Sequence, residues 1–245
     1  MRTAILSDIH GNRTAFDAVL ADLRQTAPDL ILHGGDLAQG GSSPAYIVDA
    51  IQNLGWHGVM GNVEEVLWAP ERLDEIAARV PQLRSLMDRI REMVVVTRDW
   101  LGPARISWLR ALPQLHREGP LALVHASPGN LWRSPLATAA DADFESAYAS
   151  LAAPIVVYGH IHTPFVRHLP NFTLSNSGSV GLPYDADPRA SYLLIDDSLA
   201  RASQVTIRRV AYDVEAESRL LAQSGLPHAS WVAQILRSAQ YVAPS

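Results

Sequence analysis

The sequence predicts an α/β fold in which an alternation of strand and helix gives way to an antiparallel second half or a second sheet. Three observations predict it. Short apolar, partly β-branched runs alternate with helical periodicity as far as Tyr158. After His162, strand-like runs follow one another with turn residues between them and little room for helices. Finally, 245 residues with 48% hydrophobic composition are enough for one large core, and no repeat, low-complexity tract or Gly/Ser-rich linker divides them. Residues 1–245 therefore read as a single domain.

Taken in order, Thr3 to Leu6 is a short strand of the kind buried on both faces. Asn12 then offers an N-cap to a helix whose apolar side is Ala15, Phe16, Val19, Leu20 and Leu23. Leu30 to His33 is a strand, Ser43 to Asn53 a helix, and Gly58 to Met60 another strand. From Ala69 to Arg91 the chain is helical and charged, with a break expected at Pro81, and Pro103 to Leu112 forms a further helix. This helical insertion, around residues 69–112, is expected to stand over one edge of the sheet. Leu121 to Val124 and Ile155 to Tyr158 are strands on either side of a helix from Ala142 to Leu151. Strands follow at Phe165 to His168, Phe172 to Ser175, Tyr192 to Ile195 and Val205 to Val210. Helices at Asp213 to Gln223 and Ala229 to Ala239 close the chain.

Composition narrows the chemistry. A net charge of −5 gives no general basic field, so a nucleic-acid polymer is not favoured as a partner. There is no cysteine, which removes disulfides, thiolate metal sites and cysteine nucleophiles. No apolar run approaches the ~20 residues of a membrane span. The N-terminus runs straight into the strand that carries Asp8, unlike a secretory leader. A cytoplasmic location, away from any membrane, is the default expectation.

The chemistry lies where the buried strands end. "AILSDIHGN" runs into Asp8 and His10, "ILHGGDL" into Asp36, "GVMGNVEE" into Asn62, "LALVHASP" into His125, and "IVVYGHIHTP" into His160 and His162. Each run stops in an acid, an amide or a histidine, often next to glycine. Polar side chains at buried strand ends are costly unless something satisfies them. A shared dinuclear metal centre with nitrogen and oxygen ligands would satisfy all of them. The other histidines are structural by default, with His33 worth watching because it precedes Asp36 by three residues.

The ordered series Asp-Ile-His-Gly-Asn, Gly-Gly-Asp, Gly-Asn-Val-Glu, Val-His-Ala and Gly-His-Ile-His resembles the calcineurin-like metallophosphoesterase superfamily. The chain length, and "NSGSVGLPYDADPRASYLLID" beyond the last motif, resemble its small single-domain bacterial branch, which includes phosphodiesterases. The resemblance implies a four-layer α/β/β/α sandwich. It implies that Asp8, His10 and His162 hold one divalent metal, that Asn62, His125 and His160 hold another, and that Asp36 bridges them. Asp36, Asn62 and His125 count as catalytic as well as ligating. Manganese is the first expectation for the metal, with iron, nickel, zinc or cobalt as alternatives.

The implied reaction is hydrolysis of a small phosphate ester by a metal-bridging hydroxide, with no covalent enzyme intermediate. Asn12, Arg13, Asn130 and Arg133 are the candidate substrate contacts. One position departs from the family pattern: many relatives read Gly-Asn-His followed by an acid, and here that position is Val63, followed by Glu64 and Glu65. Valine cannot protonate a leaving group, so the expectation is either esters with good leaving groups, aryl or nucleotide-like diesters among them, or protonation by water or another residue. Of Trp68, Trp100, Trp108 and Trp132, the last is the candidate for substrate contact because it follows the His125 strand. A phosphomonoesterase or protein phosphatase is the alternative within enzymes. A non-catalytic protein-binding scaffold is the alternative outside them, and it need not keep all seven ligands. The helical insertion could serve as a lid, an oligomer face or both.

Overall fold

The fold is described from a computed structural model, which covers residues 1–196 and 204–243. The first sheet begins with β1 (Arg2–Leu6), β2 (Leu30–His33) and β3 (His57–Gly58), joined by α1 (Arg13–Thr26) and α2 (Pro44–Leu54). A helical block follows, made of α3 (Asn62–Trp68), α4 (Arg72–Arg79) and α5 (Arg84–Arg110). The second sheet holds β4 (Leu115–Glu118), β5 (Leu121–Val124), β6 (Ile155–Tyr158), β7 (Phe165–His168) and β8 (Thr173–Asn176), with α6 (Asp141–Tyr148) between β5 and β6. The chain then returns to the first sheet through β9 (Ala190–Asp196) and β10 (Gln204–Val210), and ends in α7 (Val214–Ser224) and α8 (Ala229–Ser238).

The sheet orders are β10-β9-β1-β2-β3 and β4-β5-β6-β8-β7. In the first sheet β1, β2 and β3 are parallel and β9 and β10 antiparallel. In the second, β5, β6 and β8 are parallel between antiparallel edges β4 and β7. Side chains sort by the two-residue period of a strand. Ile5, Leu121, Leu123, Ile155, Val157, Leu193 and Ile195 fill the layer between the two sheets. Their neighbours Ala4, Leu6 and Tyr192 face the helices α1, α2, α4 and α5. Ala122, Val124, Val156 and Tyr158 face Phe144 and Tyr148 of α6. Both faces of both sheets are thus covered, which gives the expected α/β/β/α order of layers. The expected single domain over 1–245 includes residues 197–203, 244 and 245, which lie outside the described residues.

Local signals explain most element ends. Asn12 caps α1, its Oδ1 accepting from the Ala15 N–H at 2.9 Å. Asp213 caps α7 in the same way, through Ala216 N–H at 2.8 Å. Pro81 does break the helical insertion, into α4, a single tight turn over Pro81–Leu83, and α5.

Three expectations are corrected. The helix expected to end at Arg91 continues through the next ten residues, so that the helix expected from Pro103 is the far arm of α5. The Gly102-Pro103 pair reads as a stop, but it makes a kink: Gly102 takes φ 67°, ψ 170°, and Pro103 starts the second arm, where its missing N–H costs nothing. Asn62–Trp68 is a helix where none was expected. Leu115–Glu118 is an edge strand, its polar sequence masking it as a loop.

Candidate metal centre

The loops after β1 and β2 run side by side, joined by Asp8 N–H to Gly35 O at 3.0 Å and His10 N–H to Asp36 O at 2.9 Å. The loop after β6 crosses from the other sheet, where the His160 N–H donates to both Asp8 oxygens, at 3.2 and 3.1 Å. Ser179 closes the side by donating its hydroxyl to Asp8 O at 2.6 Å. The polar ends of strands from both sheets therefore meet at one place.

Their backbones are unusual. Asp8, His10, Asp36, His160 and His162 all have positive φ, between 51° and 66°. This left-handed conformation costs an ordinary L-residue about 1–2 kcal/mol, and such strain gathers at functional sites. Each turn redirects the chain within two to four residues of a buried strand's end, so that the side chains face a common point. Gly61 makes the closest approach possible: a Cβ there would lie 2.0 Å from Asp36 Oδ1.

Two lobes of donor atoms share Asp36. In one, the ligand atoms of Asp8, His10, Asp36 and His162 all lie within 4.8 Å of one another, a group that could hold a metal ion. His162 Nε2 is 3.1 Å from Asp8 Oδ1, and His10 Nε2 is 3.8 Å from Asp36 Oδ2. In the other lobe, Asn62 Oδ1 lies 2.9 Å from both His125 Nε2 and His160 Nδ1. His125 Nε2 is 3.4 Å from Asp36 Oδ1, the oxygen not used by His10.

Neighbouring carbonyls orient the rings. His10 Nδ1 faces Gln39 O at 2.7 Å, His125 Nδ1 faces Gly34 O at 2.7 Å, and His162 Nδ1 faces Leu182 O at 2.5 Å. A ring that donates Nδ1–H to a carbonyl presents a lone pair at Nε2, the arrangement of a metal ligand held from behind. With Nδ1–H on a carbonyl in each ring, His10 and His162 point two Nε2 lone pairs at each other across 3.2 Å. A cation between them turns that repulsion into coordination, so these residues fit a divalent metal.

The electrostatics agree. Burial, reinforced by His162, pushes the His10 ring down to about 4, and burial with His125 pushes His160 down to about 3. Both rings are therefore neutral and able to bind metal at neutral pH. Burial alone would raise the Asp8 carboxyl, but the surrounding imidazoles outweigh it and hold Asp8 below the usual range. Burial and the nearby Glu64 and Asp8 carboxylates drive Asp36 well above it. A carboxyl so crowded by negative charge calls for a compensating cation.

Glu64 has a role that sequence reasoning missed. It is fully buried, and its carboxylate accepts from the N–H groups of Asp36 at 2.7 Å, Leu37 at 2.8 Å and Gly61 at 2.7 Å. It clamps the Asp36 loop to the Asn62 loop. The signal available was its place three residues after Gly61 at the start of a helix.

The four expected substrate contacts divide. Asn130 and Arg133 line the cavity that opens over the cluster, as does Trp132, whose indole N–H donates to Glu65. Asn130 Oδ1 is occupied by the Trp132 and Arg133 N–H groups, at 2.9 and 3.1 Å. Asn12 lies beside the cluster but is buried, spending its amide on the α1 cap and on Gly181 O at 2.9 Å. Arg13 is not among the cavity residues; it stacks on Tyr46 at 4.1 Å and pairs with Asp17 at 3.3 Å. Trp100 and Trp108 pack into hydrophobic clusters, and Trp68 lies under Arg110.

Two sheets feeding a histidine and carboxylate cluster from the ends of their parallel strands define a metallophosphoesterase architecture. A calcineurin-like phosphoesterase superfamily domain matches residues 1–198, and the chain belongs to that superfamily. It is similar over nearly its whole length to an uncharacterised protein of Methanocaldococcus jannaschii, at 26% identity over 95% of this chain and 96% of that one. A shorter stretch, 36% of this chain and 35% of the relative, is 34% identical to a probable cyclic nucleotide phosphodiesterase of Synechococcus. The crystal structure of a metallophosphoesterase from Sphaerobacter thermophilus matches with a TM-score of 0.75 at 26% identity, covering 98% of this chain and all of that one. A hypothetical protein of Pyrococcus horikoshii shares the fold, with a TM-score of 0.82 at 19% identity over 98% of this chain and 99% of that one.

Proposed function

We propose that this protein is a dinuclear metal-dependent phosphodiesterase acting on small phosphate esters. The observation that carries the reading is the pair of donor lobes on either side of Asp36, with one Asp36 oxygen 3.8 Å from His10 and the other 3.4 Å from His125. Asp8, His10 and His162 hold one divalent ion, Asn62, His125 and His160 the other, and Asp36 serves both. Manganese is the first choice, with iron, nickel, zinc or cobalt as alternatives, since a mixed nitrogen and oxygen site accepts several metals.

Such ions supply Lewis acidity and a water acidified towards neutral pH. The chain's residues do the rest. Asp36 and Asn62 set the separation of the two lobes, with the Val63 N–H held on Asp36 Oδ1 at 3.0 Å. His10, His125 and His162 are each fixed on a backbone carbonyl, and His160 on the Asn62 side chain. Arg133, at the cavity, offers charge to a phosphate oxygen. Water attacks phosphorus and releases a proton to solvent, a new P–O bond forms as the ester P–O bond breaks, and the leaving alkoxide takes up a proton from solvent.

Val63, 7% exposed and lining the cavity, presents no proton donor where many relatives have a histidine. The reading therefore favours diesters with good leaving groups. The test compares bis- and mono-p-nitrophenyl phosphate with manganese, for the wild type and Val63→His. Faster turnover of the diester by the wild type, with a monoester gain in Val63→His, is expected. Equal rates on both esters, unaffected by the substitution, would remove the diesterase assignment.

A further inference from the structure

The cavity over the metal donors has about 570 Å³ of accessible space, within the ~300–1,000 Å³ of small-molecule sites. Its floor is His10, Asp36, Asn62, His160 and His162. Its walls are of another character. Leu83, Leu86, Met87 and Ile90, from the start of α5 and the turn before it, form one side, and Trp231 and Ile235 of α8 form another. Leu83, Leu86, Ile90 and Trp231 are only partly buried, so the fold leaves apolar surface facing this space. Two of the chain's four methionines, Met87 and Met93, line it, and their unbranched, polarisable side chains adapt to occupants of varied shape. Arg79 and Arg133 also line the cavity, and neither guanidinium has an ion-pair partner among the described residues.

Resting on the phosphodiesterase reading, we infer that the substrate is an amphiphilic phosphodiester: one ester group is a hydrocarbon chain lying along the α5–α8 wall, and the phosphate sits on the metal donors. The wall suits a hydrocarbon better than a nucleobase. A base carries polar edges that need partners when buried, and Leu83, Leu86, Met87 and Ile90 provide none, so the base-binding alternative would have to rest on Trp132, Tyr184, Tyr241 and Glu75 of the same lining, and the thymidine ester below tests it. The continuity of the wall with the metal donors means that the occupant is joined to the reacting phosphate. With Arg133 given to the phosphate, unpaired Arg79 is suited to hold a second anionic or polar group of the same molecule.

The test uses p-nitrophenyl esters of methyl, hexyl and decyl phosphate, all below their micellar concentrations, with p-nitrophenyl thymidine 5′-phosphate as the nucleoside competitor. The leaving group is constant, so kcat/KM reports binding of the other ester group. The expected result is a rise of up to about three- to fourfold per methylene buried, with the decyl ester well ahead of the thymidine ester. Leu86→Gln should flatten that gradient. A flat series in the wild type, or a thymidine ester ahead of the decyl one, overturns the inference. Calorimetric binding of methyl- and decylphosphonate to the manganese-loaded protein separates this inference from the reading beneath it. Tighter binding of decylphosphonate without hydrolysis of any ester supports the apolar site and overturns the diesterase reading. Equal binding of the two phosphonates overturns the apolar site, whatever the turnover.

Discussion

Glu64 never touches the donor cluster with its carboxylate, yet three backbone N–H groups from two loops end on it, including that of Asp36. Removing one of its charged hydrogen bonds lets the Asp36 and Asn62 loops drift, and outer partners of metal ligands are typically worth 10–100-fold in affinity or activity. Glu64→Gln should therefore lose that much in manganese affinity, measured by calorimetry, while the far-ultraviolet circular dichroism is unchanged. An affinity within a factor of two of wild type would count against the clamp.

His33, the histidine worth watching, lies outside the donor cluster. It is fully buried, with neither ring nitrogen hydrogen-bonded among the described residues, and burial helped by His116 and His57 pushes its pKa down from 6.5 to about 3. The unfolded chain then binds a proton that the native ring refuses. Its contribution to stability is fully present above pH 6.5 and is lost as the pH falls towards about 3. One such proton gives a slope of about 1.4 kcal/mol per pH unit. Urea denaturation of His33→Leu between pH 6.5 and 4 should show a shallower fall than wild type by about that slope.

At the scale of elements, α5 decides the shape of the site. Its first arm supplies the cavity wall, and the Gly102 kink sets the direction of the second arm, which brings Leu109 onto the core shared with α2. The Gly102 conformation, φ 67° and ψ 170°, is one that only glycine adopts readily. Beyond the adjoining backbone, no heavy atom of the described residues lies within 4 Å of a Cβ built there, so a substitution acts through the backbone. Gly102→Ala should cost ~1–3 kcal/mol in equilibrium unfolding. The same kink shows where the sequence was opaque. Gly-Pro signals an end, and only the packing of both arms on one core makes it a bend. The short apolar strands were legible because burial on both faces requires unbroken runs such as Leu121–Val124. Leu115–Glu118 pairs only at the sheet edge and carried no such run. The donor residues were legible for a related reason: several acids and imidazoles at the ends of buried runs need a common partner, although His33, at the end of its own buried strand, shows that the signal is not unique to donors. The Glu64 clamp was not, because its partners are backbone N–H groups brought close only by the fold.

For the whole molecule, the layer between the sheets keeps the two halves of the donor set in register. Asp8 and Asp36 come from one sheet, His125 and His160 from the other, and residues such as Leu193 and Val157 fix the distance between them. Leu193→Ala, at a fully buried position, should cost ~2–5 kcal/mol and leave a cavity. Because the donors straddle that layer, metal bound across both sheets should stabilise the fold in turn. The most direct test of the central claim is an anomalous-scattering crystal structure of the manganese-soaked protein. The account predicts two peaks, one among Asp8, His10 and His162 and one among Asn62, His125 and His160, with an Asp36 oxygen reaching each. A single peak, or none among these side chains, would contradict it.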